Sequence, residues 1–200
     1  FYNRRGFVDF KVLSYKRELL PDYSGYNINI VLNEGKPFVI NDILIQNELS
    51  NANKKDLLNL VFLKKGDFID ERAIEESKRN LNNFFEKDGY TFVKIKHEIL
   101  NKDNNEAKLD LKISISEAMK SFVRRINIVG NTRTLDKVLR RELLILEGDP
   151  FNGQKLKDSL NALKRLGYFK SLDVNILKTD APGVIDIELK VVENLTGTFS

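Results

Sequence analysis

Phe122-Val123-Arg124-Arg125-Ile126-Asn127-Ile128-Val129-Gly130-Asn131 is the stretch whose reading decides the fold. Apolar residues alternate through it and Gly-Asn closes it, the pattern of a half-buried strand running into a turn. Downstream, Leu135, Val138, Leu139, Leu143 and Leu146 recur at steps of three and four, which predicts a helix with one apolar stripe and with Arg140, Arg141 and Glu142 outside it. Gly148-Asp149-Pro150-Phe151-Asn152 breaks the chain. Asn152 is placed to cap a second helix carrying Leu156, Leu160, Leu163 and Leu166, and Gly167 to end it in the left-handed conformation. Residues 171–177 and 184–192 alternate again around the turn-rich segment Lys178-Thr179-Asp180-Ala181-Pro182-Gly183, which predicts a hairpin. The unit reads β-α-α-β-β.

The unit occurs twice. Lys36-Pro37-Phe38-Val39-Ile40-Asn41-Asp42-Ile43-Leu44-Ile45-Gln46-Asn47 aligns with residues 120–131, with Lys, Phe, Val and Asn in common at the same relative positions. Gly66-Asp67-Phe68 follows as the counterpart of Gly148, Asp149 and Phe151, and Gly89-Tyr90 as that of Gly167-Tyr168. A spacing of about 80 residues exceeds solenoid periods and suits small tandem domains.

These residues resemble the POTRA domains that precede the β-barrel in the BamA family of outer-membrane barrel-assembly proteins. The resemblance is carried by the Gly-Asn turn at 130–131, Val138-Leu139-Arg140-Arg141-Glu142, Leu166-Gly167-Tyr168-Phe169, and the ending Val191-Val192-Glu193-Asn194-Leu195-Thr196-Gly197-Thr198-Phe199-Ser200. It implies an α+β fold of tandem POTRA domains, each a three-stranded mixed sheet covered on one face by two helices. By this resemblance residues 1–36 are the C-terminal hairpin of a truncated third domain, 37–119 the fourth domain, 120–195 the membrane-proximal fifth, and 196–200 the start of the first barrel strand. The resemblance also implies a periplasmic location, with the membrane reached through a barrel absent from this chain.

Two sites follow from the same resemblance. The second strand of each domain is the accessible edge that unfolded outer-membrane proteins join: Leu172, Asp173, Val174, Asn175, Ile176 and Leu177 in the last domain, and Val93, Lys94, Ile95, Lys96, His97 and Glu98 in the middle one. The first helix of the last domain, at Arg140, Arg141 and Glu142, docks periplasmic lipoproteins of the assembly complex, and periplasmic chaperones are further candidate partners. Read without the family, the strands are ordinary sheet edges and the three charged residues a solvated helix face.

The remaining chain fits this frame. Apolar residues make up 42% and charged residues 31%, a balance that forms modest cores rather than a disordered chain. There is no cysteine, which excludes disulfides, thiol chemistry and cysteine-based zinc sites. No run approaches the ~18 apolar residues of a membrane-spanning helix. The net charge of +4 is dispersed in short pairs such as Lys54-Lys55, Lys64-Lys65 and Arg124-Arg125 that read as solvated surface, so nucleic acid is not an expected partner. Residues 1–6 read as the end of a helix, Gly6-Phe7 as entry into a strand, and Tyr26, Ile28, Ile30 and Leu32 as its partner after the turn Pro21-Asp22-Tyr23-Ser24-Gly25. This hairpin, with its face only partly covered, is the expected least stable part.

In the middle repeat, Phe38, Ile40, Ile43 and Ile45 supply the first strand, Leu57, Leu58 and Val61 a short helix, and Ile74, Leu81, Phe84 and Phe85 a longer one capped by Asp70. Strands at 90–100 and 108–115 flank the polar turn 101–105, and the linker 116–119 lacks the glycine that Gly35 supplies to the preceding one. A single histidine, His97, rules out histidine clusters, and paired carboxylates such as Asp70-Glu71 and Glu75-Glu76 stand at a helix start where capping and the helix dipole account for them. No enzyme activity, cofactor or metal is expected. A related translocation or secretion barrel with POTRA domains, and more distantly a basic nucleic-acid-binding module, are the alternative readings.

Overall fold

The structure is a computed structural model and describes residues 2–49 and 52–194. The expected start of a barrel strand at 196–200 lies outside the described residues. Backbone proximity divides the chain into two compact units, residues 1–81 with 95–115, and residues 82–94 with 116–200.

The first unit opens with a 3-10 turn at Tyr2–Arg4 and a hairpin of β1 (Lys11–Leu19) and β2 (Tyr26–Asn33). The strand expected to start near Gly6 begins only at Lys11, because residues 7–10 turn, with Phe10 N donating to Phe7 O. Its main sheet contains β3 (Val39–Asn47), β5 (Lys94–Asp103) and β6 (Lys108–Ser116) in the order β3-β6-β5, with β3 parallel to β6. Central β6 contributes Leu109, Leu111, Ile113 and Ile115, all fully buried. Ile40, Leu57, Ile74 and Leu81 are buried as well, from β3, α1 (Lys54–Asn59) and α2 (Glu71–Lys87). Asp70 starts α2 as expected, its Oδ1 accepting from the N–H of Arg72 at 2.8 Å.

The second unit holds β8 (Phe122–Val129), β9 (Phe169–Lys178) and β10 (Val184–Glu193) in the order β8-β10-β9, with β10 parallel to β8 and antiparallel to β9. Helices α3 (Asp136–Arg140) and α4 (Gly153–Arg165) complete the repeat. Val123, Ile126, Leu139, Leu163, Ile187 and Leu189 lie in one core. Asn152 caps α4 by accepting from Lys155 N at 2.9 Å, and Gly167 past its end has φ +72°. A two-stranded ladder of β4 (Tyr90–Thr91) and β7 (Met119–Lys120) also belongs to this unit.

Four expectations about local structure change. The first helix of the last repeat is only five residues long; Leu135 and Leu146 are 61% and 59% exposed, while Leu139, Leu143 and Ile145 are buried. The three-and-four spacing joined a short helix to an irregular segment in which residues 143 and 145 point inward. The strand expected across 90–100 is interrupted by Phe92, whose φ of +56° separates β4 from β5. The turn expected at 101–105 falls at 104–107, and Asn101 stays in β5 despite a φ of +47°. The linker without glycine nevertheless takes the left-handed conformation at Glu117, φ +49°, as Gly35 does at +69°.

The alignment of the two repeats changes as well. Ile40 N donates to Asp67 O and accepts at its carbonyl from Gly66 N; Val123 does the same with Asp149 and Gly148. Ile40 is therefore the counterpart of Val123, Phe38 of Ser121 and Ile69 of Phe151, one residue away from the alignment by shared letters. A slip of one residue exchanges the faces of a strand, which is why Phe38 is buried whereas Phe122 is 54% exposed.

Two devices recur in both repeats. Ser77 and Ser159, fully buried in α2 and α4, each accept a backbone N–H from the preceding loop (Phe62 at 2.9 Å, Leu144 at 2.7 Å). Each also donates to the carbonyl four residues earlier on its own helix, Ala73 or Lys155. The first strand of each sheet also carries a bulge, at Asn41 and at Arg124. The bulged side chain reaches the central strand's aspartate: Asn41 Nδ2 donates to Asp110 at 2.9 Å, and the Arg124 guanidinium grips Asp186 at 2.9 and 2.6 Å. Asn101, which donates to Asp110 at 2.9 Å, and Asn41 hold Asp110 below the usual carboxylate range, and Arg124 does the same for Asp186.

Candidate functional site: sheet edges and a charged helix face

Each three-stranded sheet leaves one strand of its terminal hairpin on the outside. β9 pairs with β10 alone and β5 is the outer strand beyond β6 among the described residues. The position follows from chain order. The last strand must lie between the first, to which it is parallel, and the second, to which a tight turn joins it.

Along β9, Leu172, Val174 and Ile176 pack against the core while Asp173, Asn175 and Leu177 alternate to the other face, and Asn175 Nδ2 donates to Glu188 across the ladder at 3.2 Å. Along β5, Ile95 and His97 are half-buried and Lys94, Lys96 and Glu98 exposed; Val93 precedes the strand. An outer strand of this kind presents backbone N–H and C=O groups that an extended chain can complete, whatever its side chains.

Arg140, Arg141 and Glu142 lie at and just beyond the end of α3, and they are not alike. Arg140 is held inward: Nε donates to Asp136, Nη2 to the backbone carbonyl of Ile126 at 2.9 Å, and Nη1 approaches Glu147 at 3.5 Å. Arg141 pairs with Glu142 at 3.0 Å and keeps its side chain 64% exposed. Beside Arg141 opens a surface hollow of about 450 Å³ that Leu135, Val138, Tyr168 and Asn194 also line. Sequence reasoning missed Leu135 and Tyr168 by assigning the first to the core stripe. A residue at the N-cap, as Leu135 is, precedes the helical turns that define such a stripe, and a five-residue helix without a capping side chain leaves no signal of that in the sequence.

The hollow is framed by Glu193 at the end of β10. Its carboxylate accepts from Thr134 N at 2.7 Å, Thr132 Oγ1 at 2.9 Å and Arg133 N at 3.0 Å, and these donors, Thr134 foremost, lower its pKa to about 2. The interaction fastens the β8–α3 loop to the strand leading out of the last repeat.

The architecture defines a tandem β-α-α-β-β repeat built around mixed three-stranded sheets. The family model for the surface antigen variable number repeat, POTRA, matches residues 38–118 and again 121–194. The chain belongs to the POTRA family, and with relatives of the BamA kind it is the periplasmic portion of an outer-membrane protein. It is 28% identical over 201 residues to outer membrane protein assembly factor BamA of Neisseria meningitidis, covering all of this chain and 25% of that protein. BamA of Neorickettsia risticii is 29% identical over 200 residues, again across the whole chain and 26% of the relative. The chain thus spans about a quarter of the length of these curated relatives. The crystal structure of Haemophilus influenzae BamA POTRA3-5 superposes with a TM-score of 0.86 at 21% identity, over 96% of this chain and 76% of that one, a likeness of fold. Among the described residues no helix is long and apolar enough to cross a membrane, which says nothing of a β-barrel.

Proposed function

We propose that this chain is a non-enzymatic scaffold of outer-membrane protein assembly, which receives unfolded β-barrel clients by strand addition at β5 and β9 and docks accessory periplasmic lipoproteins through the end of α3. The observation that carries the reading is the position of β9 and β5 at the edges of their sheets, each paired on one side among the described residues. Four to six backbone hydrogen bonds at about 0.5 to 1.5 kcal/mol net each, less the cost of ordering an extended client, make such binding weak, as a handover step requires. The relatives' names, as assembly factors, support the same role. Leu135, Tyr168 and Arg141 offer a mixed apolar and cationic surface next to Glu142, which suits a folded partner with an acidic rim around an apolar anchor. The domain boundaries 37–119 and 120–195 are proposed on the same repeat.

The test is a backbone-labelled titration with an extended peptide from an outer-membrane barrel strand. Shifts confined to residues 172–177 and 94–98 support strand addition, and unshifted edges at millimolar peptide overturn it. Lipoprotein docking is tested separately: Glu142→Lys is expected to weaken it about tenfold with the amide fingerprint otherwise retained, and unchanged affinity removes Glu142 from the site.

A further inference from the structure

One imidazole and two carboxylates meet in the first unit, from two separate elements. Glu71 and Glu75 stand one helical turn apart on α2 and so project to the same side. His97 comes to them from β5. One ligand atom from each of the three lies within 4.8 Å of the others. His97 Nε2 and Glu71 Oε1 are 3.6 Å apart, too far for a hydrogen bond. The separation is near the roughly 3.4 Å that two ligands keep across a tetrahedral ion with bonds of about 2.0 to 2.1 Å.

The ligand atoms are also available. Among the described residues the side chains of His97 and Glu71 make no hydrogen bond, and Glu75 meets Lys78 through Oε1 alone at 2.7 Å, which leaves its second oxygen open. A cavity of about 170 Å³ adjoins the pair, lined by Glu71 and His97 with Phe7, Val8, Ile69 and Ile99. At about 30 Å³ per water it has room for solvent to fill the remaining coordination positions. An imidazole with two carboxylates suits a borderline divalent ion better than the all-oxygen preference of magnesium or calcium, and the absence of cysteine removes the thiolates that select copper(I).

We propose that Glu71, Glu75 and His97 form a binding site for a divalent transition metal of the zinc class, which ties the start of α2 to the outer strand β5. The site stands independently of client binding, although His97 lies on the proposed client edge. An ion there restrains β5 by bonding the strand to the helix.

Zinc ion alone is the probe, titrated into the labelled chain near pH 7.5 with calorimetry in parallel. The expected result is 1:1 saturation with a dissociation constant on the order of 10 μM, with shifts in the His97 ring and in the amides of residues 71–75 and 95–99. His97→Ala and Glu71→Gln are each expected to weaken binding at least about tenfold, while millimolar magnesium leaves the ring signals in place. Should His97→Ala disturb the amide fingerprint away from the site, His97→Gln replaces it. Zinc binding unchanged by the histidine substitution, or no saturation below about 1 mM, overturns the proposal.

Discussion

At the residue scale, Glu193 shows how one carboxylate secures a loop. Its folded pKa of about 2 lies below the ordinary 4.5, so its contribution to stability is present above pH 4.5 and is lost as pH falls toward 2. Glu193→Gln keeps the shape but loses the charge that three donors share. The expected outcome is a lower urea midpoint at pH 7, and a smaller difference between variant and parent at pH 2 than at pH 7. Equal midpoints at pH 7 remove Glu193 as a fastening. The sequence offered Glu193 only as part of a family-like ending, since its partners Thr132, Arg133 and Thr134 lie about 60 positions away. Arg140 was legible as a charged residue of the first helix, but its inward hydrogen bond to Ile126 depends on where β8 passes.

At the element scale, the helices are anchored by what they do for the loops before them. Ser77 and Ser159 sit at positions that an amphipathic reading gives to apolar residues, yet each satisfies a backbone N–H of the incoming loop. Replacing either with Ala strands that donor, Phe62 N or Leu144 N, away from water. The expected cost is about 1 to 3 kcal/mol, read as a fall in the denaturant midpoint without a change in slope. Ser159→Ala is expected to disturb amides of residues 143–146 first, and a midpoint equal to the parent's sinks the account. Helix α4 was readable from its cap, leucine spacing and terminal glycine because all three are local signals. Helix α3 was not: with five residues it has too few turns for a period to be distinguished from chance.

At the scale of the whole molecule, protection is unevenly distributed. Every residue of β1 and β2 is exposed, whereas Leu109, Leu111, Ile113 and Ile115 of β6 and Ile185, Ile187, Leu189 and Val191 of β10 are 3% exposed or less. Burial of apolar side chains is what makes opening costly, so amide hydrogen exchange is expected to be fastest by orders of magnitude in β1–β2 and slowest in the two central strands. Equal protection factors in the hairpin and in β6 contradict this ordering.

The sequence by itself determined the kind of repeat, the strand and helix order within it, and the caps at Asp70 and Asn152, because alternation, periodicity and turn chemistry act between near neighbours. The family was placed by resemblance, through the Gly-Asn turn at 130–131, residues 138–142 and 166–169, and the ending 191–200. The tertiary structure decided the strand register that makes Ile40 the counterpart of Val123, the bulges that send Asn41 and Arg124 to aspartates of the central strands, and the meeting of His97 with Glu71 and Glu75. Each of these depends on which distant segment lies alongside. Backbone hydrogen bonding between strands is tolerant of side-chain identity, so shared letters cannot fix a register that burial of one face enforces.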